Sequence, residues 1–170
     1  PVQNAQLAHI LVNAKDQTAH DLTKWLINIA SPTGVWPESI NPISKGGLFG
    51  LGHFPVASSV MVLLMRAYVI KEKKESITLF PFIPTEWWDA KENTISAKQV
   101  TTQFGRLDLK LCFSNQKATL SIQKQFHKDP KEIRIQFPYP IKTINYHNKT
   151  KPIDKSEIKL PNAETMIFNF

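Results

Sequence analysis

Cysteine, arginine and glycine are scarce in this chain of 170 residues, and each shortage closes off a class of protein. The one cysteine, Cys112, excludes an internal disulfide framework and any multi-cysteine metal site. A lone cysteine is ordinarily a small buried hydrophobe. Of 21 basic residues only three are arginines, Arg66, Arg106 and Arg134, although the net charge is +7. The lysines are spread along the chain, and runs such as IKEKKES (70–76) mix in acids. Nucleic-acid surfaces need a stripe of one sign and favour arginine, so no nucleic-acid partner is expected and the lysines read as a solvated surface. No run approaches the roughly 18 apolar residues of a membrane span. The best, residues 56–70, is interrupted by Ser58, Ser59 and Arg66, so no membrane partner is expected. No secretory leader is visible and the chain begins at Pro1, so it reads as a fragment or processed chain. Its compartment stays open, secreted or periplasmic if a parent chain carries a signal peptide.

What is present divides at about residue 75. The first part has helical spacing. Residues 4–15 place Leu7, Ile10, Leu11 and Ala14 on one stripe, and residues 18–30 place Leu22, Trp25, Leu26 and Ile29 on another. Thr18 with Asp21 resembles a capping box. A third helix should start near Pro55 and run through Val60, Leu63, Leu64, Ala67 and Tyr68 to about Lys73. From Ser76 the period becomes two. Residues 93–103, 106–113, 118–126, 132–138, 141–146, 157–160 and 165–170 alternate apolar and polar, separated by turn residues. The expected class is α+β: a helical segment at 1–75, then an antiparallel β-sandwich-like domain at 76–170. An apolar third helix with only two partners implies further helices upstream, or helices packed on the sheet.

Five of the six glycines fall between 34 and 52, in one stretch that also holds Trp36-Pro37-Glu38. It is not a phosphate loop, since the Lys-Ser/Thr pair and a preceding strand are missing. The order of pieces is more telling: Gly34 and Trp36-Pro37-Glu38, then Gly46-Gly47, Gly50 and Gly52-His53, then Leu79, Ile83-Pro84 and Trp87, then Thr102 and Phe104-Gly105-Arg106-Leu107. In that order the chain resembles the carboxyl end of the six-hairpin glycosidases, the (α/α)6-toroid sugar hydrolases that include glucoamylases, trehalases and α-L-rhamnosidases. The likeness spans most of residues 18–150. Leu51 stands where a polar, often acidic residue is expected, and the turn at Asn148-Lys149 lacks its glycine. The resemblance implies the last toroid helices plus an appended β domain, so a parent chain would supply the remaining helices and the second acid. It implies a carbohydrate substrate and places Glu38 as general base of an inverting mechanism.

The chemistry fits those residue types. Glycoside hydrolysis uses two carboxyl groups, one protonating the leaving oxygen and one activating water. Glu38 lies in a loop stiffened by Pro37 and Pro42, which holds a carboxylate without burying it. Trp36 offers a flat face to a sugar ring, while His53 and Asn41 offer hydrogen bonds to hydroxyls. Plainer roles stand beside these. Glu38 is also the kind of acid that opens a helix, Trp36 a packing residue and His53 a structural histidine. Trp87-Trp88 suits a seam between helices and sheet. His9, His20, His127 and His147 have no ligand spacing, so neither metal nor cofactor is expected. No Gly-x-Ser-x-Gly occurs, which removes that route to a serine nucleophile. The competing readings are a non-catalytic carbohydrate-binding or interaction module and a polysaccharide lyase. The lyase reading needs a tyrosine, and Tyr68, Tyr139 and Tyr146 all lie outside the loop.

Overall fold

The computed structural model describes residues 1–49, 52–89, 92–114 and 116–170. The chain is α+β, with 26% helix and 45% strand, and divides into two units, Pro1–Tyr68 and Val69–Phe170. No helix among the described residues is long and apolar enough to cross a membrane.

The first unit holds α1 (Val2–Ala14), α2 (Thr18–Asn28), a two-stranded ribbon of β1 (Ser39–Ile40) and β2 (Gly47–Phe49), and most of α3 (Pro55–Val69). α1 ends on Lys15 in the left-handed conformation, φ 63°. The amides of Lys15 and Asp16 return there to the carbonyls of Val12 and Leu11. The cap of α2 is not the Thr18/Asp21 box. Asp16 supplies it, its carboxylate accepting the Thr18 N–H at 2.9 Å, and that bond holds the Asp16 carboxyl below the usual range. The third helix stops at Val69 rather than Lys73, because Ile70–Lys73 pair as a strand.

The buried faces differ from the expected stripes. α1 buries Ala5, Ala8 and Val12 while Leu7 and Ile10 are exposed. α2 buries Ala19, His20, Thr23 and Leu26. Alanine at the contact lets two helices approach closely, and α1 packs on α2 in this way. In α3, Ala57, Met61, Leu64, Ala67 and Tyr68 are buried, whereas Val62 and Leu63 face solvent. The Thr23 and Tyr68 hydroxyls meet at 3.0 Å and tie α2 to α3.

The second unit holds β3 (Ile70–Lys73), β4 (Ser76–Leu79), α4 (Thr85–Asp89), β5 (Glu92–Thr102), β6 (Gly105–Ser114), β7 (Lys117–Phe126), β8 (Glu132–Tyr146), β9 (Lys149–Lys159) and β10 (Thr165–Asn169). In place of two stacked antiparallel sheets there is one nearly closed eight-stranded sheet, ordered β3-β4-β8-β10-β7-β6-β5, with β9 on β8. One pair, β4 with β8, is parallel. The free edges of β3 and β5 come together at Gln103. Its amide donates to Glu72 and its side chain to the Lys73 carbonyl, both at 2.7 Å.

Strand alternation builds the core directly. Leu107, Leu109, Leu111 and Phe113 of β6 point inward with Ala118, Leu120 and Ile122 of β7 and Met166 and Phe168 of β10. β8 supplies Ile135, Phe137, Ile141 and Ile144. It runs unbroken through Pro138 and Pro140, where two strands were expected. Proline fixes an extended φ while removing the ladder donor, so the strand continues as its register with β9 shifts between Gln136 and Ile141.

Candidate functional site

The Glu38 loop is anchored at its root and free at its tip. Trp36 is 8% exposed, and its indole N–H donates to the Leu26 carbonyl at 2.7 Å, pinning the loop to the end of α2. Gly34 takes φ +72° to complete the preceding turn, whose amide donates to the Ser31 carbonyl. Pro37 is buried against Gly47, where an added Cβ would lie 3.1 Å from the Pro37 Cβ. Two backbone bonds then fold the glycine-rich segment onto the Trp-Pro-Glu segment. The Glu38 N–H donates to the Phe49 carbonyl at 3.1 Å, and the Phe54 N–H donates to the Trp36 carbonyl at 2.8 Å.

The four sequence-predicted site residues therefore share one loop, but not one role. Glu38 is exposed at the root of the β1–β2 ribbon, outside any helix, so the helix-opening role does not apply to it. Trp36 is buried with its N–H committed to the Leu26 carbonyl, so here it packs the root of the loop. Asn41 sits at the ribbon's turn. Its side-chain oxygen accepts the amides of Ile43 and Ser44, at 2.8 and 3.1 Å, so it shapes the turn. His53 is exposed and precedes Phe54, whose carbonyl opens α3 by accepting the Ala57 amide. Pro55 takes the first helical position, as expected. Gly50 and Leu51 lie outside the described residues.

The motifs downstream serve the fold. Thr102 and Gly105 face each other across the β5–β6 turn, where the Thr102 hydroxyl donates to the Gly105 carbonyl at 2.8 Å. Phe104 is buried, and its carbonyl accepts the amides of His127 and Lys128. Trp88 packs within the β unit, edge-on to Phe113, Phe137 and Phe170 and tilted against Tyr139.

No family model matches the chain, and no curated protein matches it. What the site can do therefore rests on its own geometry: an ionisable carboxylate, open to solvent, on a loop clamped by two buried residues. That arrangement suits a group that takes a proton from water or from a hydroxyl.

The β unit adds a concave surface that no sequence pattern announced. A cavity of about 330 Å³ lies where β7 ends, walled by the segments 129–133 and 159–163. A neighbouring cavity of about 580 Å³ shares Lys124, Asn162 and Ala163 with it. The walls come from segments far apart in sequence, none with a motif, so only the folded chain assembles them.

Proposed function

We propose that this chain is the C-terminal portion of a carbohydrate-acting glycoside hydrolase of the six-hairpin kind, with Glu38 as the general base that activates water. The observation that carries the reading is the exposed Glu38 carboxylate held on a loop whose root, Trp36 and Pro37, is buried. A base must be open to its water and set on a fixed backbone, and the Glu38 N–H bonded to the Phe49 carbonyl at 3.1 Å supports that reading. In this proposal His53, exposed and next to the Phe54 amide that closes the loop, orients a hydroxyl or the carboxylate. The apolar residues that α1, α2 and α3 leave exposed support the helical part of the reading. Leu7, Ile10, Ile27, Val62 and Leu63 are the residue types that further helices of a toroid would cover. In this proposal the parent chain supplies both those helices and the acid that protonates the leaving group.

The test compares the longer polypeptide with its Glu38→Gln variant on α-glycosides and polysaccharides. Loss of a general base lowers kcat by about 10²–10⁴-fold, with little change in substrate binding. Equal turnover by the variant would remove Glu38 from the chemistry. The 170 residues alone are expected to show no hydrolysis, because one carboxylate is half of the pair.

A further inference from the structure

The groove on the β unit is separate in sequence and construction from the Glu38 loop, and its chemistry names a ligand class. Its apolar part is the half-buried Phe126, seated over the edges of Ile122, Leu160 and Ala163, which otherwise belong to the core. Above them the polar side chains carry both signs. Lys124 and Lys159 stand with Asp129 and Glu164. Several of the groups are already braced. The Lys124 ammonium donates to Asn162 Oδ1 at 2.8 Å. Lys131 pairs with Glu75 at 2.7 Å, and Glu132 with Arg134 at 2.8 Å.

Charge near balance disfavours a polyanion, which needs a surface of one sign. The polar surroundings disfavour a lipid chain. A ligand that combines many hydroxyls with a flat C–H face satisfies both parts of the surface. The volumes suit a small ligand, since binding clefts run about 300–1,000 Å³. Side chains held by partners before binding lose little freedom on binding. We infer that this groove binds a short neutral oligosaccharide, its C–H faces on the apolar lining and its hydroxyls on Lys124, Lys159 and Asn162. The choice of sugar over other polyols rests on the glycosidase reading above.

Saturation-transfer NMR on the 170-residue chain tests this with maltotetraose, cellotetraose and chitotetraose, and with glucose 6-phosphate as an anionic probe. At least one neutral tetrasaccharide should receive saturation, and amide shifts should move within 122–133 and 159–165. Lys159 and Asn162 are exposed, so a Lys159→Ala/Asn162→Ala variant should keep its circular dichroism and melting temperature. Its affinity should fall at least tenfold. Glu38→Gln should bind as the parent does, so a failed hydrolysis assay and a failed groove are told apart. The inference is overturned if none of the three tetrasaccharides binds or if only the phosphate does. It is equally overturned if the double variant binds unchanged, or if the shifts gather at residues 36–54.

Discussion

Gly105 shows how much one residue can decide. Its φ is +134°, and a Cβ there would run into the backbone of Gln125 and Phe126 on β7. No flexible side chain is available to yield. Gly105→Ala should therefore cost about 3 kcal/mol, combining an unfavourable backbone conformation with overpacking. Urea unfolding checks this, and a loss below about 1 kcal/mol would mean that the hairpin shifts freely. Tyr68 carries a different kind of information. Burial raises its phenol above the ordinary value, the Thr23 hydroxyl pulls the other way, and the Asp21 charge adds to the rise. The unfolded phenol therefore ionises first as pH increases. Tyr68's contribution to stability is fully present below about pH 10 and is lost as pH climbs from there through the raised native value. Melting curves followed across that range should show the decline, and Tyr68→Phe should flatten it. A variant that declines identically would place the cause elsewhere.

At the scale of elements, the β8–β9 hairpin repays attention to its turn. Tyr146 pairs with Lys149, so the turn residues are His147 and Asn148 rather than Asn148-Lys149. Both have positive φ, 47° and 59°, which is the type I′ geometry that matches strand twist. Asn148→Gly should stabilise the hairpin by about 0.5 kcal/mol, because glycine adopts that conformation without a Cβ penalty. A lower melting temperature in the variant would contradict the turn assignment. The outer strand β9 carries Lys149, Lys151, Lys155 and Lys159 together with Pro152. Lysine and proline on a sheet edge resist pairing with another chain, which gives several of the scattered positive charges a structural use. Element type was readable in sequence wherever the period was clean, as in β6 and β7. It failed at Ile70–Lys73, where four residues continue a helical pattern yet pair with Ser76–Leu79. The pairing partner wins there because a long-range ladder overrides a weak local preference. Faces were less readable than types. Leu7 and Ile10 form the larger apolar stripe of α1, but Ala5 and Ala8 take the contact because small residues permit close helix packing.

At the scale of the molecule, sheet closure turns eight strands into one core. The seam depends on Gln103, which bonds the Glu72 carboxylate and the Lys73 carbonyl. Gln103→Ala removes the side-chain bond to Lys73 and should cost about 0.5–1 kcal/mol. It should also speed amide exchange in β3 and along the Val100–Thr102 end of β5. Unchanged exchange would show that the edges hold without it. The site divides along the same line. Glu38 was legible as an unusual acid among prolines and glycines, and so was its loop. The partner of Trp36 was not, since a tryptophan in a loop reads first as a packing residue and second as a platform until its N–H partner is known. The groove was illegible throughout, because its walls come from segments of β7, the turn that follows it and the β9–β10 connection.

The amino-acid order by itself determined the mixed class, the change of period near residue 75, the helix start at Pro55 and the singular placing of Glu38. Those are local properties, set by side-chain spacing and by the backbone limits of proline and glycine. Tertiary structure alone decided which helix faces are buried, that β4 runs parallel to β8, that the sheet nearly closes at Gln103, and that a tryptophan clamps the Glu38 loop. Each of these rests on contacts between residues distant in sequence, whose energies exceed the local preferences they override.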